Sequence, residues 1–319
     1  IDNQSEFWQL LLELSGQRWT GDAEPVTVGE MPRVQWFPNL VGNAAREMLE
    51  PVRLQSPDQA AIISIWEGGV EETITYRELR RMVGHIQTRL HAAGLQQGDY
   101  VVAFSANQWH TIAVFLAAAA SGMQFATSSP DFGSEAAAAR FAQLNPKALF
   151  ASCAYRYGGK EFDVGTTVGE LLAELPNAQL AVALPYPGTT PTIPAGVQTW
   201  DAFIGEVPAD AAPTYVDLPF DYPLYTLFSS GTTGLPKAFV HRAGGAMLMH
   251  YKEQVINMDI RPGDVVSFFT TCGWMMWNWL VSNLAQAATI VVFDGSPGYP
   301  DQFVQFDFAE RYGVTLFGT

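Results

Sequence analysis

Residues 223–241, PLYTLFSSGTTGLPKAFVH, read as a buried strand, a turn rich in hydroxyls and glycine, a lysine, and a second strand. The turn holds the parts needed to grip phosphate. Gly231 and Gly234 permit backbone conformations closed to other residues, so that successive N–H groups can face one anion. Ser229, Ser230, Thr232 and Thr233 add hydroxyl donors, and Lys237 adds a positive charge on a flexible stem. The Walker pattern GxxxxGK[ST] leads into a helix. Here Pro236 and Lys237 lead into the strand AFV, so the device is a different one. The structural alternative is an ordinary Ser/Gly hairpin turn. Four hydroxyls, two glycines and a lysine within nine residues favour the anion site.

Outward from this turn the chain repeats itself. Gly98-Asp99, YVVAF, Trp109, an apolar helix, the strand MQFAT and Ser129-Pro130 recur 165 residues on as Gly263-Asp264, VVSFF, Trp274, a second apolar helix and ATIVVF. A helix from about Ser134 and the strand ALFA answer to a helix from about Pro300 and the strand VTLF. Strands alternating with helices at this long period predict an α/β fold of two pseudo-repeated, doubly wound halves. The expected division is a helical extension over 1–59, a first half over 60–184, a linker-like segment over 185–223 and a second half over 224–319. The segment 185–223 is rich in Pro, Ala, Gly and Thr, with TWDAFI as its one structured piece. It reads equally as a loop packed across both halves. Thr75 with Glu78 forms a capping box opening a helix that buries Leu79, Met82, Val83, Ile86 and Leu90, and Thr167 with Glu170 repeats the signal.

Seventeen basic against thirty-two acidic residues give a net charge of -15, a field that repels nucleic acid and anionic membranes. An anionic ligand therefore needs local donors. Cys153 and Cys272 show no CxxC or His/Cys spacing, which predicts no zinc and fits a cytoplasmic, reducing compartment. The stretch 111–127 is shorter than the roughly 20 residues of a spanning helix and predicts a buried helix running into a buried strand. The start IDNQSEFWQL lacks a signal-peptide order and reads as trimmed.

The nine residues SSGTTGLPK resemble the phosphate-loop signature of the adenylate-forming superfamily, which holds acyl-CoA synthetases, luciferases and peptide-synthetase adenylation domains. ITYRELRRMV with LQQGDYVVAF resembles that family's first helix and strand, and SSPDF its following turn. Within the superfamily, FSSGTTGLPKAFVHRAGG, GWMMWNW, DGSPGYP, SSPDFG and YRYGGK together look most like the acetoacetyl-CoA synthetases, over almost the whole chain.

The resemblance implies a two-step ligase reaction. Acetoacetate attacks the α-phosphorus of ATP, with Mg2+, to give the acyl-adenylate and expel pyrophosphate, and the thiol of coenzyme A then displaces AMP. It implies that Ser229, Ser230, Gly231, Thr232, Thr233, Gly234 and Lys237 hold the ATP phosphates. It further implies that Trp274, Met275, Met276 and Asn278 shape a small acyl pocket, although Met and Trp at this spacing are as readily core. Arg156 and Lys160 of YRYGGK are implied to meet coenzyme A, against the alternative of a solvated pair. His241 either touches ATP or is satisfied within the fold. The resemblance places the adenine-binding segment, the magnesium-holding acid and the catalytic lysine beyond Thr319. A chain inactive without that C-terminal portion is expected. Another short-chain acid, or a non-catalytic nucleotide-binding or split-enzyme module, is the alternative.

Overall fold

The structure is a computed structural model that describes residues 3–229 and 234–319. Runs such as YVVAF, ALFAS and LAVAL are apolar on both faces, the pattern of strands covered by helices on either side. They form the middle of a seven-stranded sheet. Its order is Gln198–Thr199, Leu180–Leu184, Ala148–Ser152, Tyr100–Phe104, Gln124–Ser128, Pro223–Phe228, Ala238–Arg242. All neighbours run parallel except the final pair, the antiparallel hairpin that carries the glycine-hydroxyl turn. A five-stranded sheet has the order Leu316–Gly318, Val265–Phe268, Thr289–Asp294, Ala60–Trp66, Val70–Thr75 and again ends in an antiparallel hairpin.

The internal repeat holds at the level of register. Val101 stands opposite Phe125 and Ala148, and Val266, 165 residues later, stands opposite Ile290 and Leu316. Phe125 then pairs with Tyr225, and Ile290 with Ile62. Each half thus begins with a hairpin that it gives to the other half's sheet: 60–75 completes the second sheet and 223–242 the first. Neither sheet is closed by one contiguous stretch, so ordering one sheet helps order the other.

The helix Trp109–Ala120 is buried along its whole length and belongs to the largest core cluster, with residues of both sheets. That location explains why WHTIAVFLAAAA is apolar all round. Gly122, at φ +71, reverses the chain into Gln124–Ser128. The capping box at Thr75 and Glu78 opens the helix Tyr76–Ala92 as expected, burying Leu79, Val83, Ile86 and Leu90. A side chain at Gly84 of that helix would run into the backbone of Ala212, 2.3 Å away, so the glycine lets residues 209–214 lie flat on it.

The second capping box does not form. The helix starts three residues early, at Gly165, and runs to Ala173. Asp163 takes the Gly165 and Thr192 amides at 2.9 and 3.0 Å, and Gly165 presses on the Thr192 carbonyl. That tertiary contact sets the start. Within 185–223, Trp200 and Phe203 of the helix Trp200–Ile204 are buried, and Leu218–Pro219 pairs with Leu40–Gly42. Residues 4–15 and 44–49 are helical in the segment before the first hairpin. No helix among the described residues is long and apolar enough to cross a membrane.

Candidate functional site

Parallel strands deliver their C-terminal ends to one side of a sheet, and ligand crevices form where neighbouring connections diverge. Here the ends of both sheets meet. After Phe104, the Asn107 backbone N–H donates to the Asp294 carboxyl at 2.8 Å, its side-chain amide donates to the Thr270 carbonyl at 3.0 Å, and its Oδ1 accepts from Trp277 at 3.1 Å. The Cys272 thiol donates to the Ser105 carbonyl at 2.8 Å, and the Thr127 hydroxyl donates to the Cys272 carbonyl. One loop therefore fixes the first sheet against two loops of the second.

Glu67 stands at the turn that corresponds, in the other half, to the glycine-hydroxyl turn. Its carboxylate is buried and accepts from the amides of Gly158, Gly159 and Ser296 at 2.9, 2.7 and 2.8 Å. The YRYGGK hairpin (Ala154–Tyr157 with Lys160–Asp163) is thereby pinned by its own glycine amides.

Of the expected phosphate loop, Ser230, Gly231, Thr232 and Thr233 lie outside the described residues. Its neck is described. The Ser229 N–H donates to the Lys237 carbonyl, and the Lys237 N–H donates to the Ser229 hydroxyl, both at 3.0 Å. Gly234 has open space around it, and Lys237 is exposed and unpaired with any carboxylate among the described residues. His241 stacks on Tyr225, with ring centroids 4.9 Å apart, and lines a separate groove with Trp8 and Met31. Burial lowers its pKa and favours the neutral ring.

Beside Ser229 opens a cavity of about 190 Å³, lined also by Thr127, Ser128, Arg140, Gly273 and Trp274. Trp274, 60% exposed, is the one acyl-pocket candidate on its wall. Met275 and Met276 are half-buried at the start of the helix Met275–Ser282, with Met276 packed on the core, and Asn278 is buried away from this cavity.

Arg156 and Lys160 do not converge. In their hairpin Arg156 is paired with Glu161, and Lys160 is paired with Tyr157. Successive residues alternate faces, so the two cations point to opposite sides. Arg156 also bonds Glu161 at 3.4 Å and the Gly188 carbonyl at 2.5 Å, while lining a crevice of about 410 Å³ with Asp131, Thr271 and Asp294.

Asp294 ends the central strand of the second sheet in that crevice. Burial pushes its pKa up to about 6, against the Asn107 amide that favours its charged form, and the carboxylates of Glu67 and Asp131 push it further up. The Tyr186 hydroxyl approaches without completing a hydrogen bond of ordinary geometry. The folded state therefore holds this proton more tightly than the unfolded chain, so its contribution to stability is fully present below about pH 4 and is lost as pH rises through about 6. Urea unfolding of Asp294→Asn should fall less between pH 4 and 6 than that of the unaltered chain. Equal slopes would remove Asp294 as the titrating group.

Glu67, Asn107 and Arg140 escaped the sequence reading. Glu67 carried one available signal, its place in the hairpin turn matching residues 229–237, but the exchange of hairpins hid the match.

Residues 50–319 match the family described as AMP-binding enzyme. The chain is 38% identical to the acetoacetyl-coenzyme A synthetase of Rhizobium meliloti (strain 1021), over 100% of this chain and 49% of that protein. It is 34% identical to the malonamoyl-CoA synthetase vrtB of Penicillium aethiopicum, over 100% of this chain and 47% of that protein. Among solved structures, the acetoacetyl-CoA synthetase from Streptomyces lividans superposes with a TM-score of 0.94 at 40% identity, over 100% of this chain and 49% of that one. The chain spans about half the length of these relatives.

Proposed function

The chain belongs to the AMP-binding enzyme family, and from that membership we propose that it is the ATP-gripping portion of an AMP-forming acid–thiol ligase acting on acetoacetate. The observation that carries the reading is the exposed Lys237, unpaired with any carboxylate among the described residues and held by its backbone to Ser229, which lines a small cavity walled also by Trp274. In this scheme the turn 229–237 holds the leaving phosphates while the acid's carboxylate is brought in line with the α-phosphorus. Positioning and local charge supply most of the acceleration. Bound nucleotide and coenzyme A supply activation and the acceptor thiol. Magnesium would arrive with the ATP phosphates.

Acetoacetate and malonamate are near-isosteres that differ by a methyl in place of an amino group. The indole of Trp274 and the ring of Phe132 offer apolar surface on the cavity wall, which favours the methyl. Both cysteines are buried and reduced, with the Cys153 thiol pushed up to about 12, in keeping with a cytoplasmic protein.

The chain alone is expected to release no pyrophosphate on addition of ATP and acetoacetate. Mixed with a polypeptide carrying the remaining half of a relative, it should do so, with acetoacetate preferred over malonamate, acetate and propionate. Steady turnover by the chain alone would refute its dependence on that half. A preference for acetate would overturn the substrate assignment, and binding without turnover in the mixture would favour a non-catalytic module.

A further inference from the structure

One wall of the cavity beside Ser229 is basic. Arg140, on the helix Ser134–Phe141, lines it, and its guanidinium carbon lies 4.5 Å from the Phe132 ring centroid. One N–H donates to the Ala136 carbonyl at 2.5 Å. In a chain with 32 acidic residues, Arg140 forms no ion pair among the described residues, which it shares with Arg33, Arg53, Arg81 and Arg89, but of these five it alone lines the cavity beside Ser229. Three residues on, in the short 3-10 turn Ala142–Leu144 that continues the helix, Gln143 donates to the Pro236 carbonyl at 3.0 Å and docks that turn on the returning arm of the hairpin. The Ser128 hydroxyl in the same cavity is 2% exposed and has no partner among the described residues.

We propose that Arg140 is an anion-binding residue of this site, offering its guanidinium to phosphoryl oxygens of a polyphosphate held by the 229–237 turn, with the Ser128 hydroxyl as a neighbouring donor. The proposal rests on the phosphate-loop reading above and adds a second cation to it. A guanidinium presents paired N–H groups that match two phosphoryl oxygens, where an ammonium offers a point charge. The Phe132 ring under its guanidinium carbon steadies the side chain before the ligand arrives. Partial burial raises the value of each contact over the same contact in water. Such local donors are what an acidic chain needs, because its long-range field opposes the ligand.

Calorimetric titration of the chain with magnesium pyrophosphate tests this. Arg140→Gln should bind about tenfold or more weakly, the loss expected for removal of a charged hydrogen-bond partner. Arg140→Lys, which keeps the charge without the fork, should fall between. Circular dichroism of each ligand-free variant should match the unaltered chain, and if Arg140→Gln fails this check the Arg140→Lys comparison decides. Binding that is lost in Lys237→Gln but unchanged in both Arg140 variants would overturn the proposal while leaving the loop reading intact. No pyrophosphate binding by the unaltered chain would overturn both. Weakened binding of acetoacetate alone would assign Arg140 to the acid and overturn the phosphoryl assignment.

Discussion

Glu67→Ala is expected to destabilise the chain by about 1–3 kcal/mol, because three part-buried amides lose a charged acceptor at once and water replaces it only in part. The amides belong to two separate segments: Gly158 and Gly159 in the YRYGGK hairpin, and Ser296 after the central strand of the second sheet. The loss should therefore be local as well as global. Hydrogen exchange at these positions should accelerate more than exchange in the strand Tyr100–Phe104. Glu67→Gln, which keeps one carbonyl oxygen, should recover part of the stability. A midpoint in urea unchanged by Glu67→Ala, with the glycine amides still protected, would show that the carboxylate holds nothing together.

The second large effect is expected at Trp277. This side chain is fully buried, donates to Asn107 and stacks against Phe125 with centroids 6.4 Å apart and planes 24° apart. Trp277→Ala leaves a cavity between the sheets and an orphaned Asn107 oxygen, a change worth about 3–5 kcal/mol. Trp274→Ala, three residues away on an exposed side chain, should stay within about 0.5 kcal/mol of the unaltered chain. The pair separates two readings of GWMMWNW: Trp277 holds the sheets together, while Trp274 is free to meet a ligand. Equal losses in the two variants would erase that distinction, and melting curves suffice to see it.

Much of the fold was legible along the chain. The apolar runs at 100–104, 148–152 and 180–184 have one physical solution, a parallel sheet covered on both faces. The capping box at Thr75 is local chemistry and formed as read. The box at Thr167 is equally good chemistry, but Asp163 and the Gly165–Thr192 contact captured the helix start from outside. The cations Arg156 and Lys160 were separated for a similar reason. Four residues apart they suggest a cluster, yet a hairpin turn places them on alternate faces and gives Arg156 an acidic partner.

By itself the sequence determined the α/β class, the repeat at a spacing of 165 residues and the hairpin with its hydroxyl-rich turn, because each rests on backbone propensity and local periodicity. The exchange of hairpins between the sheets, the burial of Glu67 under three amides and the approach of Arg140 to Ser229 were decided only by the tertiary structure. These depend on which surfaces pack after the strands have formed, and contacts between residues such as Glu67 and Ser296, 229 positions apart, leave no periodic trace along the chain.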